Sequence, residues 1–435
     1  MICKHITELI GNTPLLEVPP EIHGIANLKL YAKLELFNPW GSVKDRTAWG
    51  MLENHLKELE GGKRVIELSS GNTAKALQML ASLQGSSLKT ITNRIKIPEQ
   101  RDILKLLGAE IEELPGKSDC YDPNDPNDPM VTLQREIQQH PGEYFFTDQY
   151  SNRDNLRIHY ETTGAEIAAD LGKVDYFIAG LGTTGSSRGT AERLKTANPG
   201  LVCVGVAAEK DDTLPGIRNR DEVLEVGLFD PKYYDEMVFV SSMQAIEYTL
   251  ILLRKLGVPA GPTSGAAFFG ALDFLKKLPP LSRPKTAVFI VCDRIEWYMS
   301  YFKERRPDLF GGGKKQSWQE ELPDSPENRE IAASGVQAWI AEENPLIVDL
   351  RSPLSYKASR IEKSLNLPYD HLDRMLDEGI PFGKNQCLLL VCAVGEKSAK
   401  VAGYLSGKGI AAYSLAGGVT AWRDETLPLE RSSHV

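Results

Sequence analysis

A lysine amine can attack a carbonyl only when its charged form is disfavoured, and burial in a dry pocket achieves that. Lys44 stands in Gly41-Ser42-Val43-Lys44-Asp45-Arg46, where a helical pattern begins. Alone, such a charged cluster reads as a solvated helix start. A Schiff-base role needs a pocket and a partner cofactor, both built by distant residues. Ser69-Ser70-Gly71-Asn72-Thr73 follows the apolar run RVIEL and precedes another helical pattern. Its hydroxyls, amide and free N–H groups make a cradle for a carboxylate, and helix capping accounts for only one of them. Gly180-Leu181-Gly182-Thr183-Thr184-Gly185-Ser186 follows YFIA and opens a further helix. Glycines let the backbone approach an anion, and no P-loop lysine follows, so a phosphate monoester suits the turn. A dinucleotide site is the competing reading, but the glycine spacing fits it poorly. Gly261-Pro262-Thr263-Ser264-Gly265-Ala266 is a fourth helix entry, for which a simple capped, glycine-rich start is an equal reading. Near the other end, Cys392 leads Cys392-Ala393-Val394-Gly395-Glu396-Lys397-Ser398 into a helix, surroundings that favour a thiolate.

These turns need rigid elements behind them. Up to about residue 305, short runs rich in β-branched residues alternate with longer amphipathic stretches. The runs are 64–68, 176–179, 201–206 and 287–291, and the helical stretches include 74–83 and 190–196. Alternation of this kind predicts parallel βαβ units, with ligands at the carboxyl ends of the strands. The stretch 306–328 is polar, carries a triple glycine and lacks apolar periodicity, which predicts a linker between domains 1–305 and 329–435. The second domain repeats the α/β pattern, with strands expected at 346–349, 387–391 and 412–415. The DPNDPNDP run at 122–129 reads as a surface loop before a helix rather than a metal site.

At 435 residues the chain exceeds one ordinary domain, and 42% hydrophobic residues suffice for several cores. A net charge of −9 argues against a nucleic-acid surface. No apolar run reaches membrane-spanning length, and the start lacks the pattern of a secretory signal. Six scattered cysteines suggest neither a disulfide framework nor a metal site. The expected setting is cytoplasmic, without membrane, nucleic acid or metal.

Taken in order, ITELIGNTPLL at 6–16, KLELFNPWGSVKDR at 33–46, the SSGNT turn, QYSNRDNLRIHYETTGAEI at 149–167, the glycine-rich turn and GPTSGA resemble the fold-type II pyridoxal-phosphate enzymes. The resemblance covers about residues 5–300 and is to the cysteine synthase and cystathionine β-synthase family. It implies an α/β architecture of two parallel-sheet subdomains, a homodimer and pyridoxal 5′-phosphate as cofactor. Lys44 would carry the cofactor through its amine and later move the proton at the substrate Cα. Asn72 would bond the cofactor 3′-oxygen, and Gly182, Thr183, Thr184, Gly185 and Ser186 its phosphate. Thr263 replaces the family's serine opposite the pyridine nitrogen, keeping a neutral hydroxyl that favours β-elimination and replacement over transamination. Ser69, Ser70, Thr73 and Gln149, with Asn72, would hold the amino-acid substrate.

Two departures bear on that substrate. TNRIKIPEQR at 92–101 stands where the family usually has Met-Pro…Met-Ser-x-Glu-Arg-Arg, so Ile97 replaces the serine, and Arg94 and Lys96 add charge. LPGIRNRDE at 214–222 resembles the O-phosphoserine-using branch, in which the residue matching Arg218 recognises the leaving phosphate. A guanidinium fork suits phosphate, so O-phosphoserine is favoured over O-acetylserine.

Residues 329–430 resemble the rhodanese family through Asp349-Leu350-Arg351, IEKSLNLP at 361–368, the Cys392–Ser398 loop and LAGGVTAW at 415–422. Ser359-Arg360 replaces the usual Gly-His, and Lys397 replaces the loop arginine, keeping charge but losing the fork. The resemblances together imply β-replacement on an activated serine by a sulfur nucleophile. Cys392 would carry sulfur as a persulfide, supplied by a sulfur donor or a small carrier protein. The alternatives are a cysteine desulfhydrase that loads Cys392, a β-substituted alanine synthase using an amine, and a non-catalytic sulfur-relay or regulatory protein.

Overall fold

Lys285–Val291 lies at the heart of the larger sheet, a run whose β-branched and aromatic side chains are buried on both faces, as parallel strands require. In the computed structural model, which describes residues 2–93, 95, 97–115, 125–210, 212–311, 318–319, 329–383 and 385–430, the chain divides into two units, Met1–Arg306 and Pro307–Val435.

The first unit holds two sheets. One has six strands in the order Leu15–Val18, Leu28–Leu34, Lys285–Val291, Tyr176–Gly180, Val202–Ala208, Glu236–Val240. All its pairings are parallel except the first. Its core gathers Leu30, Ala32, Phe268 and Phe289, all fully buried. The other sheet has four parallel strands, ordered Glu110–Glu113, Leu88–Thr92, Arg64–Glu67, Tyr144–Phe146. The expected strands at 64–68, 176–179, 201–206 and 287–291 are present to within two residues at either end. The helix expected at 74–83 starts earlier, at Asn72, inside the SSGNT turn, and the one at 190–196 runs from Gly185 to Ala197. Both helices therefore aim their first turns at the carboxyl ends of the strands before them, where ligands of such sheets bind.

The second unit is a parallel five-stranded sheet in the order Glu330–Ile331, Ala412–Leu415, Leu388–Val391, Leu346–Asp349, Leu365–Asn366. Of the stretch read as a linker, residues 312–317 and 320–328 lie outside the described residues. Trp318 is buried against Tyr404 in the second unit's core, and its indole N–H donates to Asp373 at 2.9 Å. Of the DPNDPNDP run, residues 122–124 are not described. Asp128 at its end caps the helix Pro129–Gln139, accepting from the Met130 N–H at 2.8 Å. Among the described residues no helix is long and apolar enough to cross a membrane, and no group of three or more His, Cys, Asp or Glu side chains could hold a metal ion.

Candidate active site

The charges around Lys44 are not solvated. Arg46 is fully buried and grips Glu35 through two nitrogens at 2.7 and 2.9 Å. It also grips Glu166, through Nη1 at 2.6 Å and through the Nη2 it shares with Glu35 at 2.8 Å. The Asp45 carboxylate accepts from the Trp40 N–H at 2.6 Å and the Ser42 hydroxyl at 3.1 Å. The turn before Lys44 is thus braced from inside. Breaking a buried pair of this kind costs about 3–5 kcal/mol. Lys44 begins the helix Lys44–Leu52 and opens on a cavity of about 270 Å³. Burial lowers its ammonium from the ordinary lysine range, while Cys292 and the Asp293 carboxyl oppose the shift. A lysine so displaced is better suited than a solvated one to bond a carbonyl and to move protons.

That cavity gathers Ser69, Ser70, Asn72 and Thr73 from one turn, Gln149, Gly182 and Thr183 from others, and Arg218. The Thr73 hydroxyl donates to Gln149 at 2.9 Å, joining two residues expected to bind one carboxylate. The Arg218 guanidinium donates to the Tyr150 hydroxyl at 2.7 Å and lies 3.8 Å from Glu222, and all three line the wall. Thr184, Gly185, Ser186 and Thr263 are not part of the lining. Thr184 caps the helix Gly185–Ala197 at φ 65, and its hydroxyl is buried without a hydrogen-bond partner. Thr263 is buried against Gly216 and Gly180, its hydroxyl donating to the Pro215 carbonyl. Ile97 lines the cavity, whereas Arg94 and Lys96 lie outside the described residues.

The residues fit pyridoxal phosphate. An amine with a lowered pKa sits at one side of the cavity, and the glycine-rich turn brings Gly182 and Thr183 to its wall just ahead of a helix start, where anions are favoured. The turn has no room for a side chain: a Cβ on Gly182 would come 2.7 Å from the Gly216 carbonyl oxygen. One on Gly185 would come 2.1 Å from Asn155 Oδ1. Gly185→Ala is therefore expected to displace the turn at about 1–3 kcal/mol. Cofactor affinity, read by absorbance titration of the apoprotein, should fall about 5- to 100-fold while the far-UV circular dichroism is kept.

Sequence reasoning did not find Asp293 and Tyr298. Asp293 follows the central strand and is fully buried; it accepts from the Asn72 amide at 2.6 Å and from the Tyr298 hydroxyl. Burial pushes its carboxyl up to about 6, against the pull of Tyr298, Lys75, Asn72 and Lys44. Asn72 also donates to Tyr298 at 3.2 Å, so its amide is fixed in orientation before any ligand enters. The one available signal was a carboxylate directly after a buried parallel strand, VFIVCD, where the site of such a sheet falls.

In the second unit Cys392 is buried at the base of the loop between Leu388–Val391 and the helix Glu396–Gly407. Its Sγ accepts from the Gly395 N–H at 3.1 Å and the Ser398 hydroxyl at 3.3 Å. Ser414 donates to Ser398 at 2.9 Å behind it. Gly418 holds the loop closed: at φ 59, a Cβ there would come 2.3 Å from the Cys392 carbonyl. Lys397 lies 4.4 Å over the Tyr369 ring.

A polar cavity at the carboxyl ends of the parallel strands of two sheets, with a lysine of lowered pKa facing an anion cradle, defines a cofactor-dependent enzyme of the α/β class. Comparison with known proteins makes this specific. Residues 6–293 match the family described as pyridoxal-phosphate dependent enzyme, and residues 332–425 match the rhodanese-like domain. A cysteine synthase of Aquifex aeolicus is 33% identical over 304 residues, covering 68% of this chain and 90% of that protein. An N-(2-amino-2-carboxyethyl)-L-glutamate synthase of Cupriavidus metallidurans is 33% identical over 311 residues, covering 69% of this chain and 89% of that one. The crystal structure of a cysteine synthase from Entamoeba histolytica superposes with a TM-score of 0.62 at 28% identity, over 70% of this chain and 91% of that chain. The chain belongs to the pyridoxal-phosphate-dependent enzymes, in the cysteine synthase group, and carries a rhodanese-like domain at its C-terminal side.

Proposed function

We propose that this enzyme replaces the β-substituent of an activated L-serine, O-phosphoserine in preference to O-acetylserine, by sulfur. The product is cysteine or a related β-thio amino acid. The supporting observation is one cavity that holds Lys44, the Ser69–Thr73 turn, Gln149 and Arg218 together. Bound pyridoxal phosphate supplies an electron sink that weakens the Cα–H bond and the bond to the β-leaving group. Ser69, Ser70, Thr73 and Gln149 bind the substrate carboxylate, and Lys44 takes and returns the proton at Cα. Arg218, positioned by Tyr150, receives the departing phosphate. Asn72, fixed by Asp293 and Tyr298, orients the cofactor ring. The chain acts as a homodimer, a point that sedimentation velocity tests.

Arg218→Gln separates the two activated serines. Losing a charge-assisted contact worth about 1.5–3 kcal/mol should lower kcat/KM for O-phosphoserine about 10- to 100-fold. The value for O-acetylserine should change less than about 3-fold, since its acetate makes no comparable demand on a guanidinium. A parallel fall for both substrates, or for neither, removes the phosphate role.

The proposal extends to the second unit. A donor such as thiosulfate gives its sulfane sulfur to the Cys392 thiolate: its S–S bond breaks, an S–S bond to Cys392 forms, and sulfite leaves. A thiolate acceptor, free or on a small carrier protein, then takes the outer sulfur. A second reading, replacement by an amine, is favoured by the Cupriavidus metallidurans relative. Product analysis with O-phosphoserine and either sulfide or L-glutamate distinguishes the two.

A further inference from the structure

Farther along the helix Asn72–Leu83, beyond the residues that line the catalytic cavity, lies a second cavity of about 480 Å³. Its walls are largely apolar, formed by Leu36, Phe37, Trp40, Met79, Ile103 and Leu107. Into them the chain places Lys75, only 6% exposed, whose ammonium has no hydrogen-bond partner. It rests 4.1 Å from the centre of the Trp297 ring, and the indole N–H of Trp297 is likewise buried without an acceptor. Two unpaired donors at one apolar cavity are a costly arrangement. An orphaned buried donor forfeits about 1–3 kcal/mol, and more if it is charged.

Neighbouring charges do not resolve it. Asp45 is committed to Trp40 and Ser42, and Asp293 to Asn72 and Tyr298. Arg294 at the cavity's edge is paired with Glu296. Asp45, Asp293 and Glu296 draw on the Lys75 charge and Arg294 opposes it, but burial outweighs them and lowers the ammonium.

We propose that this cavity binds a small organic carboxylate with an apolar body, its carboxylate on Lys75 and the Trp297 N–H and its body among the apolar walls. The site lies close to the chemistry. A void of about 10 Å³, roughly the space one water needs, joins the two sides and is lined by Gly71, Asn72 and Gln100 as well as Lys75 and Trp297. Gly71, Asn72 and Gln100 also line the catalytic cavity. A ligand on Lys75 therefore sits one helical turn behind Asn72.

Isothermal titration of the holoenzyme with indole-3-acetate tests this, with indole-3-acetamide as the uncharged control. Expected are one saturable site per chain, at least tenfold weaker binding of the amide, and at least tenfold weaker binding of the acetate by Lys75→Met. Met79→Trp, which fills the cavity and keeps both donors in the sequence, should abolish binding, and saturating O-phosphoserine should not compete. Absence of saturable binding, unchanged affinity in both variants, or displacement by O-phosphoserine overturns the proposal. So does protection of Phe37 and Met79 by a second copy in a cross-linked dimer that takes up no indole-3-acetate.

Discussion

Lys44→Ala should leave a folded protein that no longer holds its cofactor covalently. Borohydride reduction followed by peptide mapping should find the wild-type cofactor on the Lys44 peptide and none on the variant. Removing the same amine also removes the group proposed to move the Cα proton. A positioned acid or base contributes about 10²–10⁴-fold, so β-elimination should fall by at least that factor even with saturating pyridoxal phosphate. Stability should be nearly unchanged. The bracing of this turn comes from Asp45 and Arg46, whose partners Trp40, Ser42, Glu35 and Glu166 are untouched. Retention of the reduced cofactor by the variant would place the attachment elsewhere.

Cys392→Ser should separate the two units' chemistries. Sulfane transfer from thiosulfate to cyanide should drop by about three orders of magnitude or more, the scale expected when a nucleophile is removed. Serine keeps the size and the contacts with Gly395 and Ser398 but its hydroxyl is not a sulfur-accepting nucleophile at neutral pH. Cysteine formation from O-phosphoserine and free sulfide should stay within about 2-fold of wild type, because free sulfide bypasses the persulfide. Gly418→Ala is a second probe of the same loop. Its Cβ would strike the Cys392 carbonyl, so sulfane transfer should fall although the thiol remains. Undiminished transfer in Cys392→Ser would move sulfur carriage to another residue.

The elements were legible because periodicity marks a parallel strand with few alternatives. RVIEL and AVFIV, short and rich in β-branched residues, read as buried strands, which puts the glycine- and serine-rich turns after them at one end of a sheet. What patterning could not convey was depth. Arg46 and Asp45 read as a wet helix start, and the approach of Glu35 and of Glu166, 120 residues away, shows why Arg46 is dry. Trp318 sat in a polar stretch whose local pattern offers no reason for burial. Its partner Tyr404 lies on a distant helix.

The same limit applies to the site. The Lys44 and SSGNT turns announced themselves by concentrations of chemistry-bearing residues. Asp293 and Tyr298 did not, because one buried carboxylate and one phenol acquire meaning only through Asn72, about 220 residues earlier. Lys75 was invisible for a related reason. On a helical pattern a lysine is normally solvent-facing, and nothing local shows that Trp297 closes over it.

The central claim, β-elimination from O-phosphoserine by a Lys44-bound cofactor, is tested most directly in a single turnover. Holoenzyme is mixed with O-phosphoserine in the absence of any sulfur or amine nucleophile, and inorganic phosphate and cofactor absorbance are followed together. Expected is a burst of one phosphate per chain, with an absorbance change of the same rate that added sulfide reverses as cysteine forms. Absence of both phosphate release and absorbance change, with O-acetylserine equally inert, would contradict it.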